Sequence, residues 1–121
     1  MNSAKDDCYS LIQEIAVARD GLCRAPGCCQ IATAGHHIFG RKNMATAFNP
    51  RYALGMCVDC HVPWAHKEPD QFNEWVISWM GEEEYYAALR LSNSVCKHQD
   101  FKQIRAALLE VLKKYKKALT L

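Results

Sequence analysis

The sequence has no uninterrupted apolar run long enough to cross a bilayer and no large excess of either charge: 15 Lys and Arg stand against 13 Asp and Glu, a formal net charge of +2. The first lack excludes a helical membrane span. The second excludes the strongly basic class in which bulk charge alone argues for nucleic acid, so such a partner must be argued from local clusters. Internal repeats and low-complexity segments are also missing. The opening MNSAKDDCYSLIQEIAVARDG lacks the basic end, apolar run and small-residue cleavage site of a secretory signal, so the expectation is a cytoplasmic protein with no membrane partner. At 121 residues, 50% of them hydrophobic, the chain is expected to form a single domain over 1–121.

Cysteine, by contrast, is plentiful, with seven residues. In a reducing compartment these read as metal ligands or buried thiols rather than disulfides. Cys57 and Cys60 form C-x2-C in MCVDCH, and Cys23 and Cys28 form C-x4-C in CRAPGC, where Pro26 and Gly27 suit a tight turn. Two such pairs point to a four-cysteine structural zinc site. Cys29 is an alternative to Cys28, less favoured because Pro-Gly directly before Cys28 fits a short knuckle. Cys8 and Cys96 fall in helical patterns and read as small core residues. C-x2-C-H is also the attachment signature of c-type haem; that reading is set aside, since such haem belongs to exported proteins and would leave Cys23 and Cys28 without a role.

Apolar spacing predicts a leading helix over 6–20, stopped by Gly21. IATAGHHIF reads as a short strand, GRKNMATAFNPRY as a long polar loop, and ALGMC as a second strand turning into a helix near Asp59. A helical extension over 70–121 follows. Phe72, Trp75, Val76, Trp79 and Met80 form a stripe that could offer base-stacking rings but reads better as core packing. EEEYYAALRLSN opens with acids suited to a helix N-terminus. From Phe101 an amphipathic stripe runs through Ile104, Ala107, Leu108, Val111, Leu112, Tyr115 and Leu119, with lysines opposite. The KKYKK run reads as a solvated helix end before it reads as a DNA contact.

Four of the five histidines, His36, His37, His61 and His66, lie in or just beyond the segment between the cysteine pairs. His98, at a helix junction, reads as a surface residue or cap. Adjacent strand residues face opposite ways, so His36 and His37 cannot both bind one ion from a regular strand. They are expected to divide the labour, one holding a divalent metal together with His61 and the other, oriented by an acceptor, activating water.

The pattern CRAPGC…AGHHIFGRK…FNPRYALGMCVDCHVPWAH, over residues 23–66, resembles the zinc-containing branch of the HNH endonucleases, and the following helical segment is similar to the tail of small phage-type HNH proteins. The resemblance implies an α+β fold: a ββα-metal core stapled by the four-cysteine zinc site, with an N-terminal helix and a helical C-terminal extension. It implies His37 as general base and His36 and His61 as ligands of the catalytic ion. His66 falls one residue out of step with a further histidine ligand of relatives such as the colicin nucleases. The family's middle Asn is replaced by Tyr52, with Asn49 near enough to take over structural support.

The resulting expectation is metal-dependent hydrolysis of DNA phosphodiester bonds, by nicking or double-strand cleavage, with low sequence specificity. Arg41, Lys42 and Arg51 are expected to hold phosphates. Mg²⁺ or Mn²⁺ is the expected catalytic ion, with Ni²⁺ or Zn²⁺ able to occupy paired imidazoles in vitro. The alternative is a non-catalytic zinc module that binds nucleic acid or a phage packaging or recombination partner; homodimer formation stays open.

Overall fold

Strand β1 (Ala34–His37) pairs antiparallel with β2 (Ala53–Met56), setting His36 opposite Leu54 and His37 opposite Ala53. The computed structural model describes residues 3–96 and 99–119, so His98 lies outside the described residues. The fold is α+β, with this hairpin between two groups of helices.

Strand alternation assigns the two sides. Ala53 joins one core with Cys8, Leu11, Ile12, Ile15 and Ala16 of α1 (Ala4–Asp20) and with Leu108 and Leu112 of α6 (Phe101–Leu119). Leu54 and Met56 join the other, with Cys23, Phe72 and Val76 of α4 (Pro69–Met80), and Tyr85 and Ala88 of α5 (Glu82–Ser92). The C-terminal stripe therefore covers the outer side of α1, as its period requires, while Lys113, Lys114 and Lys116 remain exposed. No described helix is long and apolar enough to cross a membrane.

Local signals explain the helix ends. The Ser3 hydroxyl caps α1 by accepting from Asp6 N at 3.1 Å, and Gly21, at φ 67°, ends it. Pro69 starts α4 at a position where its missing N–H costs nothing. Gly35 serves a different need: a Cβ there would stand 2.8 Å from Gln13 Cα. Only glycine lets β1 lie this close to α1.

A half-buried clamp reinforces that approach. Arg19 grips Asp20 with two N–H groups at 2.8 Å and also donates to the carbonyls of Pro50 at 2.7 Å and Ala53 at 2.6 Å. Asp20 in turn accepts from Gly55 N at 2.8 Å. The end of α1 is thus fixed to β2 by charge-assisted bonds.

Several expectations need correction. The polar loop after β1 contains α2 (Met44–Ala47) and a 3₁₀ turn over Pro50–Tyr52, because Asn43 and Asn49 each start a local turn. The first strand is shorter than IATAGHHIF; Ile31 makes only an isolated bridge to Leu22. Cys8 is buried as expected, but Cys96 lies past the end of α5 and is exposed. Within the aromatic stripe Phe72 and Val76 are core, whereas Trp79 is 43% exposed.

Candidate metal and histidine centre

The first cysteine pair sits on a knuckle closed by the Cys28 N to Ala25 O bond of 3.1 Å, with Gly27 at φ 77°. The second begins α3 (Val58–Cys60), where Cys60 N and His61 N both point to Cys57 O, at 3.3 and 2.9 Å. An Arg24 N to Gly55 O bond of 2.9 Å ties the knuckle beside β2. The sulfurs of Cys23, Cys28, Cys57 and Cys60 consequently lie within 4.8 Å of one another, with Cys28 and Cys57 Sγ 3.8 Å apart. Cys29 is exposed and outside the cluster.

Burial pushes the Cys23 and Cys60 thiols up. At Cys57 burial also pushes upward, but hydrogen bonds from the Cys60 backbone and the neighbouring thiols outweigh it and lower the thiol. Several thiolates at this separation repel strongly unless a cation lies among them. The cluster could hold a metal ion such as zinc, whose tetrahedral, sulfur-accepting chemistry suits four cysteines.

The helix that carries Cys60 then widens. Residues His61–His66 adopt a π turn, marked by the Lys67 N to Val62 O bond of 3.2 Å. Pro63 contributes by removing one N–H from the α pattern. In a regular α-helix, residues five apart point roughly 140° from each other at 3.6 residues per turn. The wider turn absorbs the extra residue, and His61 and His66 Nε2 come to 2.9 Å. The one-residue offset of His66 in the sequence is therefore no obstacle to its joining His61.

From β1, His36 completes the group. One ring nitrogen of each of His36, His61 and His66 lies within 4.8 Å of the others. His36 packs edge-on against Phe72 at 4.7 Å. Its Nδ1 is buried without a hydrogen-bond partner, an arrangement that costs about 1–3 kcal/mol for a neutral donor or acceptor. Burial first, then His66, His61 and His37, push the His36 pKa down to about 3. Burial and His66 likewise lower His61. Neutral imidazoles facing one another with a buried, unpaired nitrogen are a donor set that fits a divalent ion.

His37 faces the other way, towards Tyr9 of α1, with ring centroids 6.2 Å apart. Its Nε2 lies 3.1 Å from Ala47 O. Because a carbonyl only accepts, the hydrogen sits on Nε2 and Nδ1 keeps a lone pair. Burial lowers the His37 pKa against the raising effect of that carbonyl, and Arg41 lowers it further. Both strand histidines nevertheless line one cleft of about 220 Å³ with His61, His66, Gly40 and Arg41.

The other expected residues are not all gathered there. Arg41 borders the cleft and lies over the Tyr9 ring at 4.4 Å, while Tyr9 Oη donates to Arg41 O at 2.8 Å. Lys42 is exposed beside it. Arg51 lines a different cleft and is ion-paired with Glu84. Tyr52 packs edge-on against Phe39 at 5.6 Å, part of the α4–α5 core rather than a loop bridge. Asn49 Oδ1 accepts from Arg51 N at 3.0 Å, a support confined to the 3₁₀ turn.

The residue that spans the loop is Asn43, which the sequence reading passed over. Its side-chain amide donates to Phe39 O, and its own carbonyl accepts from Thr46 N at 3.0 Å and Ala47 N at 2.9 Å. This fixes the short helix whose last carbonyl orients His37. An Asn four residues after Phe39 was visible, but nothing in its spacing announced the contact. Comparison of the chain with family models, curated proteins and solved structures finds no match.

Proposed function

We propose that this protein is a metal-dependent endonuclease of the HNH type, with a zinc-stapled ββα-metal core, that hydrolyses DNA phosphodiester bonds. The observation that carries the reading is the placement of His37, with a carbonyl-fixed tautomer, in one cleft with the His36, His61 and His66 group. Cys23, Cys28, Cys57 and Cys60 would hold structural zinc. His36, His61 and His66 would hold a divalent ion, and three imidazoles suit Mn²⁺, Ni²⁺ or Zn²⁺ better than the oxygen-seeking Mg²⁺; when bound, the ion would supply stabilisation of charge developing on the phosphate oxygens.

The chain's own groups do the rest. His37 Nδ1 takes a proton from water as the water oxygen bonds to phosphorus, and the bond to the 3′ oxygen breaks with its electron pair on that oxygen, which takes a proton from solvent to leave as the 3′ hydroxyl. The hydrogen bond to Ala47 keeps the ring oriented and stabilises the imidazolium that forms. Arg41, at the cleft edge, meets a phosphate oxygen, and stacking on Tyr9 limits the orientations its guanidinium explores.

A second reading, a zinc module that binds nucleic acid or a recombination partner without cutting, draws support from Tyr52 in place of the family's asparagine. Supercoiled plasmid incubated with zinc-loaded protein separates the two. Nicking that requires added Mg²⁺, Mn²⁺ or Ni²⁺ supports the nuclease; binding without cleavage under all three supports the module.

A further inference from the structure

We infer that the cleft between the end of α1 and the end of α4 binds an unstacked nucleotide unit, with Trp79 as the stacking surface and Arg24 and Arg51 as the phosphate contacts. This rests on a nucleic-acid partner, as the proposed function does, but not on cleavage. The cleft encloses about 470 Å³ and is lined by Arg19, Asp20, Arg24, Arg51, Trp79 and Tyr115 among others. That volume is within the roughly 300–1,000 Å³ of small-ligand sites.

Trp79 is the first part of the case. It stands 43% exposed instead of entering the core, lies nearly parallel to Trp75 at 5.8 Å and 8°, and carries the Arg24 guanidinium 5.2 Å from its ring centroid. With Trp75 stacked along the ring, Arg24 covers the remaining Trp79 face, and an unstacked base takes that face by displacing the guanidinium, which is then free to meet the phosphate. A duplex hides its base faces, so the occupant is a single strand, a flipped base or a free nucleotide.

Charge is the second part. Arg19 is committed to Asp20 and two carbonyls. Asp20 is spent too, on Arg19 and Gly55 N, and reaches Arg24 only at 3.7 Å. The Arg24 side chain is 37% accessible and makes no closer ion pair among the described residues. Arg51 pairs with Glu84 across an exposed surface, where both side chains are more than a third accessible, and a phosphate competes easily with such a pair. An aromatic plate flanked by two exchangeable guanidinia matches a base and its phosphate better than it matches an acidic side chain, which has no face to stack.

The test uses zinc-loaded full-length His37→Ala protein, which removes the general base and so makes binding independent of whether the parent cuts. A fluorescent 12-mer oligothymidylate is titrated by anisotropy. Trp79→Ala should weaken binding by roughly 5- to 100-fold, the range for loss of one stacked base, and Trp79→Phe should restore most of it. Arg24→Ala with Arg51→Ala should lower the salt slope by about 0.7 for each contact to a single strand. Competition by thymidine 5′-phosphate would assign the site to the nucleotide unit itself; competition by the unlabelled 12-mer alone would assign it to a strand. Parent-like affinity in Trp79→Ala, or equal competition by an oligoglutamate of matching charge, would overturn the proposal. Failure of the parent to nick plasmid would sink the nuclease reading and leave these binding results standing.

Discussion

His37 Nε2 and the Ala47 carbonyl oxygen, ten residues apart in sequence, are 3.1 Å apart in the fold. The contact joins the histidine strand to the short helix in the following loop, and it makes the protonation state of one side chain depend on the geometry of another segment. Nitrogen-15 NMR should find His37 with its proton on Nε2 at neutral pH and its pKa below the ordinary imidazole value, as burial and Arg41 dictate. A His37 proton on Nδ1 would contradict the assignment.

The loop that supplies this carbonyl should depend on Asn43 more than on Asn49. Asn43→Ala releases the Phe39 contact and should reduce cleavage by about 10-fold or more while leaving zinc bound, as a loss of positioning does. Asn49→Ala removes a turn cap and should cost about 0.5–2 kcal/mol of stability with a smaller effect on rate. Thermal melts and single-turnover rates for the two variants check the order.

Much of this centre was legible in the sequence, and the reason is spacing. The two cysteine pairs are local motifs with turn residues between or after them, so Cys23, Cys28, Cys57 and Cys60 group on spacing alone. Alternation along a strand likewise separated His36 from His37. What sequence could not supply was long-range or irregular: the π turn that brings His66 to His61, the Asn43 bridge, the Arg51–Glu84 pair between residues far apart in the chain, and the exposure of Trp79. A helical stripe reveals which residues share a face but not where the neighbouring core ends. These details follow from tertiary packing, and period counting does not reach them.

Zinc should be stoichiometric and structural. At least one zinc per chain should copurify, and chelation or Cys57→Ala should disorder the knuckle, since apparent structural zinc binding is worth about 10–16 kcal/mol in small peptides. Cys28→Ser should lose the metal, whereas Cys29→Ser, outside the cluster, should keep it. Cys8→Ala should cost only about 1–2 kcal/mol as a core truncation. Metal analysis finding no zinc in protein that stays folded in chelator would remove the four-cysteine site.

In protein whose histidine group has been stripped of divalent ions, stability should fall as pH drops below the ordinary imidazole value. The His36 pKa is held near 3 in the fold and rises to about 6.5 on unfolding. Between those limits the unfolded chain binds the extra proton. This group alone therefore contributes a loss of about 1.4 kcal/mol per pH unit towards the lower limit. His36→Phe should flatten that slope in denaturant titrations at pH 6 and pH 4; an unchanged slope would exclude His36 as its source.

Close helix–strand packing makes a separate prediction. Gly35→Ala places a methyl group against the Gln13 backbone and should destabilise the protein by about 1–3 kcal/mol, as overpacking of a tight contact does. Calorimetry on the zinc-loaded variant reads this directly; an unaltered melting temperature would mean that β1 can move away from α1 at no cost.

The most direct measurement of the central claim compares wild type with His37→Ala in single-turnover cleavage of a DNA duplex with Mn²⁺, across pH 5 to 8, alongside duplex affinity in the absence of turnover. The wild-type rate should rise with pH along a limb below the ordinary imidazole pKa. His37→Ala should retain zinc and duplex affinity, lose roughly 10²- to 10⁴-fold in rate, and lose that limb. High Mn²⁺ should not rescue it, although it should partly rescue His36→Ala, whose defect lies in holding the ion. A His37→Ala rate equal to wild type, with the same pH limb, would contradict the account.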